Sequence, residues 1–321
     1  MLNYRSLPLV RVCSLLVACV CGSFAHADSG KILPAPQHVS PHVYAWIGPY
    51  GGPSKENHGF RMNLAFVVGA QAVAVIDTGY TESMAKEMLG YIRAITPLPI
   101  KYAINTNSQP HRFLGNEVFR RSGARIIAHR AEAARMARLG NEQTQAVINT
   151  LQLPAGSAQP PAPPDQIIDG DINLDLGNLE LRIVHLGATH TPAQLVVHIP
   201  ADKVVYAGDT LFSGRLLAVL PDGNVKSWLH AYDTLATFGD VTFIPGHGQP
   251  GKLKAFDFPT RDYLKLLYDH MGKKIDAGAD IQEAISSLDQ SRFKTLADFD
   301  SLAGRNASWT YLERESEFFS K

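Results

Sequence analysis

Three times in its second half the chain runs an apolar, strand-like stretch into a short turn that carries one imidazole or carboxylate. The turns are Gly187-Ala188-Thr189-His190-Thr191-Pro192, then Ala207-Gly208-Asp209-Thr210-Leu211-Phe212, then Ile244-Pro245-Gly246-His247-Gly248. Glycine or proline punctuates each turn, and a β-branched run precedes it, which is the grammar of a strand and the loop at its end. In this order the three segments place His190, Asp209 and His247 on strand-end loops of a single sheet, where they converge. The spacing alone is compatible with more than one α/β layout.

A fourth segment lies upstream, after the short strand-like run Tyr102–Asn105. It reads Ile104-Asn105-Thr106-Asn107-Ser108-Gln109-Pro110-His111-Arg112-Phe113-Leu114-Gly115-Asn116. Together the four segments, spread over Val43 to Gly248, resemble the metallo-β-lactamase superfamily. The upstream motif of that family is His-x-His-x-Asp-His inside an Asn-Thr…Gly-Asn frame. Here the frame is kept, and the four ligand positions read Asn107, Gln109, His111 and Arg112. The resemblance implies an αββα sandwich, two packed mixed β-sheets with helices on the outer faces. It also implies metal-dependent hydrolysis, in which zinc lowers the pKa of its bound water toward ~7 and polarises the scissile carbonyl or phosphoryl oxygen.

Carried over residue by residue, the first metal site of the family keeps only His190. Asn107 and Gln109 offer neutral amide oxygens there, poor zinc ligands beside imidazole. The second site keeps Asp209 and His247, with His111 where the family has Asp and Arg112 where it has His. His111, Asp209 and His247 form a two-nitrogen, one-carboxylate set with an open fourth position, as catalytic zinc requires. The expectation is one zinc per chain on those three, with His190 as fourth ligand or general base. Asn107 and Gln109 would orient the water or a substrate oxygen. Arg112 has three roles open to it: a charge repelling the ion, a bidentate partner of Asp209 replacing the metal, or an outward-pointing anchor for an anionic substrate.

The activity expected from the resemblance is an exported zinc-dependent hydrolase acting on an ester, thioester or amide-like bond of a small molecule. The alternative is a metal-free, catalytically silent periplasmic binding or accessory protein of the same fold; a β-lactamase ranks third, since fold does not dictate function. The stretch Gly304-Arg305-Asn306-Ala307-Ser308-Trp309-Thr310-Tyr311-Leu312-Glu313 also resembles the tail of exported metallohydrolases associated with quinoprotein and sulfur-oxidation systems. Asp77-Thr78-Gly79 matches a position where the family orients metal ligands, and equally fits a plain turn. His185 fits either packing or support of the site. The remaining candidates His38, His42, His58, His129, His198, His230 and His270 read as structural or surface residues.

Elsewhere the periodicity is mixed. Residues 28–40 read as a Pro-rich extended lead-in. Strands are expected at Val43–Ile47, Asn63–Gly69, Ala72–Ile76, Ile126–Ala128, Leu179–His185, Leu195–Ile199, Val204–Ala207 and Val241–Ile244. Helices are expected at Thr81–Ile95, Phe113–Arg121, Ala131–Leu151, Trp228–Phe238 and Phe258–Ala277, with a helical region from about 257 to 321. Five prolines make Pro154–Pro164 a loop.

Residues 1–27 have the form of a secretory signal. Arg5 and Arg11 precede the apolar stretch Val12–Phe24, and Ala25-His26-Ala27 is a small-x-small cleavage site. Leu16-Val17-Ala18-Cys19 supports the competing form, a lipoprotein anchored at Cys19. The expected organisation is a leader over 1–27 and a single domain over 28–321, exported to the periplasm. The three cysteines, Cys13, Cys19 and Cys21, all fall in the leader, which leaves the rest without disulfides or thiolate ligands. The 30 basic and 30 acidic residues include Arg5 and Arg11, so residues 28–321 carry 28 against 30. A balance near −2 supplies no electrostatic reason to bind nucleic acid, and no later stretch is apolar enough to span a membrane.

Overall fold

The computed structural model describes Met1 and residues 30–158 and 161–320. The expected leader and its three cysteines fall outside the described residues. The chain divides into Met1–Lys31 and Ile32–Lys321, and the architecture below is that of the second unit.

Seven strands lie side by side in chain order: β1 (Gln37–Ser40), β2 (Val43–Trp46), β3 (Leu64–Val68), β4 (Val73–Ile76), β5 (Ile100–Ile104), β6 (Arg125–His129) and β7 (Gln166–Ile168). Strands β1 to β4 are joined antiparallel, whereas β4 to β7 run parallel. Parallel neighbours need crossovers. Here α1 (Glu82–Ile95) links β4 to β5, α2 (Pro110–Phe113) and α3 (Asn116–Arg121) link β5 to β6, and α4 (Arg130–Leu151) links β6 to β7. The second sheet holds β8 (Ile172–Asp175), β9 (Glu180–His185), β10 (Leu195–Ile199), β11 (Val204–Phe212) and β12 (Thr242–His247), in the order β12-β11-β10-β9-β8. Its one parallel pair, β11 with β12, is crossed by α5 (Val225–Leu235). Helices α6 (Tyr263–Asp276), α7 (Ile281–Ser286) and α8 (Phe299–Phe319) follow.

The period-2 alternation of the strands explains the layering. In β3, Leu64 and Phe66 face the helices that contribute Met84, Met88 and Phe119, while Ala65 and Val67 face the other sheet. In β11, Val204 and Tyr206 enter the layer between the sheets, while Val205 and Ala207 pack with Ala231 and Leu235 of α5. A strand buried on both faces reads as a continuous apolar run, and nine of nine residues of β11 are buried. The result is the expected αββα sandwich. Helices α6 to α8 form a further apolar cluster with Trp228, Leu216 and Leu217.

Four boundaries differ from expectation. Gln37–Ser40 is an edge strand, not part of an irregular lead-in. The helix expected over Phe113–Arg121 is broken at Leu114-Gly115, and a Cβ on Gly115 would lie 2.0 Å from the Thr78 carbonyl oxygen. Strand β11 continues past Ala207 to Phe212, so Asp209 sits within a bent strand. A π-type turn at Asp257–Asp262 delays α6 until Tyr263.

Candidate metal centre

The site gathers where β4, β5, β11 and β12 end. Its deepest member is Arg112 of α2, which is completely buried. Every N–H of its guanidinium is engaged. Nε donates to Asp209 Oδ2 at 3.0 Å and Nη2 to Asp209 Oδ1 at 2.5 Å, a bidentate fork. Nη2 also donates to the Gly246 carbonyl (3.1 Å), and Nη1 to the Asn63 carbonyl (2.8 Å), Tyr206 Oη (2.9 Å) and Asp77 Oδ2 (3.1 Å). Of the three roles open to Arg112, the fold selects pairing with Asp209. The outward anchor is overturned, and so is a catalytic part in contact with substrate: the group has neither exposure nor a spare donor. Gly246 permits this approach, since a Cβ there would lie 2.2 Å from Asp209 Oδ1 and 2.7 Å from Arg112 Nη2.

Two carboxylates sharing one guanidinium titrate in opposite directions. Burial works to raise the Asp209 pKa, but the Arg112 charge and the neighbouring His111 outweigh it and hold Asp209 well below the usual range. Asp77 is pushed up to about 6 by burial, which Arg112 and the bonds from the Thr106 backbone N–H and hydroxyl only partly offset. Asp77 has φ +61, a left-handed turn closing β4. It touches the Arg112–Tyr206 cluster rather than the cleft, so the Asp77-Thr78-Gly79 turn supports Asp209 through the arginine.

On the cleft side of Asp209 stand two imidazoles. His111 Nε2 lies 3.5 Å from Asp209 Oδ2, and His247 Nε2 lies 3.5 Å from Asp209 Oδ1. His247 Nδ1 is 2.9 Å from the Arg61 carbonyl, which fixes the proton on Nδ1 and leaves the Nε2 lone pair facing Asp209. His111 Nε2 is buried and has no hydrogen-bond partner. Burial and the Arg112 charge hold His111 down to about 3, and burial with the Arg215 charge holds His247 well below its ordinary value. Both rings are therefore neutral, the form in which imidazole binds a metal. Among the described residues, His111, Asp209 and His247 are the group whose ligand atoms all lie within 4.8 Å of one another. An orphaned buried nitrogen, a second oriented nitrogen and a carboxylate fit one zinc ion.

The family's first site does not fit an ion. Asn107 Nδ2 donates to Asp209 Oδ2 (2.8 Å) and Gln194 Oε1 (3.2 Å), and its Oδ1 accepts from the Gln109 backbone N–H (2.8 Å). Asn107 thus turns N–H, not oxygen, toward Asp209, and it is fully buried. The expectation that it orients a water or substrate oxygen is corrected: it orients Asp209. Gln109 and His190 do line the cleft, with His111 and His247, around a volume of about 240 Å³. His190 Nδ1 is 2.7 Å from the Ala218 carbonyl, so its Nε2 carries the lone pair; burial lowers its pKa.

The frame residues hold this arrangement. Asn105 and Asn116 exchange amide hydrogen bonds at 2.9 Å, and Asn105 also donates to the Arg112 carbonyl (3.0 Å). Several supports were not legible in the sequence. Glu132 is buried inside α4 and accepts from the backbone of Ser108 (2.8 Å) and Ala193 (2.6 Å), tying the upstream motif to the His190 loop. Asn63 donates to the carbonyls of Pro245 (2.8 Å) and Gly248 (2.7 Å), bracketing His247. Arg61 and Arg215 also line the cleft, and burial with the Arg61 charge brings Arg215 down to about 10. None of these sits in a spaced motif; the one available signal was a glutamate on the helix side that buries Ala133, Met136, Val147 and Ile148. His185 stacks on His129 at 4.1 Å, a contact apart from this cluster.

The comparisons with known proteins agree with this geometry. The family model described as the metallo-beta-lactamase superfamily matches residues 58–247. The chain is 24% identical over 212 residues to the acyl-coenzyme A thioesterase MBLAC2 of Gallus gallus, covering 59% of this chain and 73% of that protein. It is 22% identical over 227 residues to the metallo-beta-lactamase type 2 of Bacillus cereus, covering 70% and 78%. Among solved structures, a metallo-beta-lactamase from Pontibacter korlensis superposes with a TM-score of 0.59 at 21% identity, over 72% of this chain and 98% of that one. With two mixed sheets and a family match over more than half its length, the chain belongs to the metallo-beta-lactamase superfamily.

Proposed function

We propose that the chain is a single-zinc hydrolase of small esters or thioesters, with His111, Asp209 and His247 holding the ion. The observation that carries this reading is the buried, partnerless Nε2 of His111 beside Asp209 and the oriented Nε2 of His247. The names of the two relatives, a thioesterase and a beta-lactamase, favour acyl-bond hydrolysis. A zinc ion bound there would supply Lewis-acid polarisation and water activation.

The chain's own residues have separable parts in this reading. Arg112 and Asn107 hold the Asp209 carboxylate in one orientation. His190, neutral and anchored through Nδ1, accepts a proton at Nε2 from the attacking water and returns it to the leaving group. Gln109 stands at the cleft wall to donate to a substrate oxygen. Phe212 and Met62 keep the inner wall apolar, which strengthens the electrostatic interactions there.

Elemental analysis after zinc reconstitution tests the reading. The expected result is one zinc per chain, lost in His111→Ala and in Asp209→Asn, with ester turnover lost alongside. A content near zero in the wild type would remove the hydrolase reading. It would promote a metal-free binding role, favoured by the engagement of both Asp209 oxygens with Arg112.

A further inference from the structure

Residues 304–313 form the middle of α8, beyond the residues 58–247 that match the family model. Two of their polar side chains reach back to the segment between β11 and α5. Asn306 is completely buried. Its Nδ2 donates to the Leu217 carbonyl (2.8 Å) and to Tyr263 Oη (3.2 Å), and its Oδ1 accepts from the Val219 N–H (2.8 Å). Glu313 accepts from the backbone N–H groups of Val225 (2.7 Å) and Lys226 (3.1 Å), in the first turn of α5. Helix α8 therefore grips this segment at both ends, and residues 216–224 within it lie in neither helix nor strand.

Between the two backbone groups that Asn306 holds lies Ala218, whose carbonyl accepts from His190 Nδ1 at 2.7 Å. The Ala218 carbonyl and the Val219 N–H belong to one trans peptide plane and point in opposite directions. Directing the N–H into α8 therefore directs the carbonyl at the His190 ring. His190 also packs against Phe212 at 6.0 Å and Trp228 at 5.9 Å, centroid to centroid. These ring contacts do not select a nitrogen, because a half-turn of the imidazole about Cβ–Cγ would satisfy them as well. The carbonyl separates Nδ1 from the carbon edge, fixing the proton on Nδ1 and the lone pair on Nε2.

We infer that Asn306 is a positioning residue for His190: by holding the peptide between Ala218 and Val219, it sets which nitrogen of the ring carries the proton. Helix α8, outside the family-matched segment, is thereby a working part of the site. The inference deepens the hydrolase reading, and its consequence for turnover rests on that reading; the His190 tautomer does not.

Heteronuclear NMR of the zinc-free full chain with isotope-labelled histidine rings tests it, with His190→Gln to assign the resonance. In the wild type the proton is expected on Nδ1 and protected from exchange with solvent. Asn306→Leu, apolar and of similar size, should speed exchange of that proton by about tenfold or more and leave a mixture of tautomers. Asn306→Asp keeps the acceptor for the Val219 N–H and should retain the Nδ1–H form, so it tests the idea even if the leucine variant misfolds. A folded Asn306→Leu with wild-type tautomer and exchange would overturn the inference, as would a folded Asn306→Asp that loses the Nδ1–H form. If neither variant folds, the wild type decides. Its Val219 N–H and His190 Nδ1–H should exchange through one common opening, and a His190 proton that exchanges freely while Val219 stays protected would sink the idea. Under the hydrolase reading, Asn306→Leu should lower ester kcat by about tenfold with KM unchanged. Its zinc content should stay at the wild-type value, because Asn306 bonds to none of His111, Asp209 and His247. Absence of ester turnover in the wild type would remove only the hydrolase reading, since the tautomer is measured without substrate or zinc.

Discussion

Replacing Arg112 with Met removes the one cation that two buried carboxylates share. Asp77 and Asp209 are both fully buried. After the substitution Asp77 keeps the Thr106 N–H and hydroxyl and lies near Tyr206, whereas Asp209 keeps only Asn107. The freed carbonyls matter less: Gly246 still accepts from the Asn63 N–H, and Asn63 from Tyr206. The cost is therefore chiefly that of a stranded buried charge, about 3–5 kcal/mol. Against a typical total of roughly 5–15 kcal/mol this is a large share. Urea denaturation at pH 7.5 with chelator present, so that metal binding does not contribute, measures it. In the double variant Arg112→Met/Asp209→Asn the loss should be smaller than the sum of the singles by about 1–3 kcal/mol. A loss below about 1 kcal/mol in Arg112→Met would refute the claim that this arginine neutralises the cluster.

Two further outcomes follow from the same cluster. Gly246→Ala places a methyl 2.2 Å from Asp209 Oδ1, so it should cost about 2 kcal/mol or more and reduce zinc uptake; wild-type stability together with full zinc content would contradict the packing. Asp77 is raised from 3.8 to about 6, so the folded state holds its proton to higher pH than the unfolded chain does. Stability from this group therefore falls as pH rises from about 4 to 6, by up to about 3 kcal/mol, and is flat above. Asp77→Asn, tolerated at φ +61, should lack this fall, and superimposable denaturation midpoints against pH for the two proteins would rule it out.

The individual strands and the turns that carry His190 and His247 were legible in local patterns, whereas the αββα arrangement of those strands was implied by the resemblance of the four motifs to the family. Period-2 alternation decides which strand face is buried, and glycine-punctuated strand ends decide where polar side chains emerge. The frame Asn105, Gly115 and Asn116 was legible through the resemblance, and the structure supplies its reason: a Cβ at Gly115 would meet the Thr78 carbonyl, and the two amides pair at 2.9 Å. The role of Arg112 was not. A guanidinium at the end of a flexible side chain can point outward, repel an ion or pair inward, and these are separated only by groups distant in sequence, the Asn63 and Gly246 carbonyls, Tyr206, Asp77 and Asp209. Asn107 was misread because its amide is turned by the Gln109 backbone N–H, which takes Oδ1, and the carboxylate its Nδ2 then meets is Asp209, 102 residues away. Glu132 carried no motif at all. Its partners lie in other layers of the fold, and a buried charge declares its function only when packing shows what surrounds it.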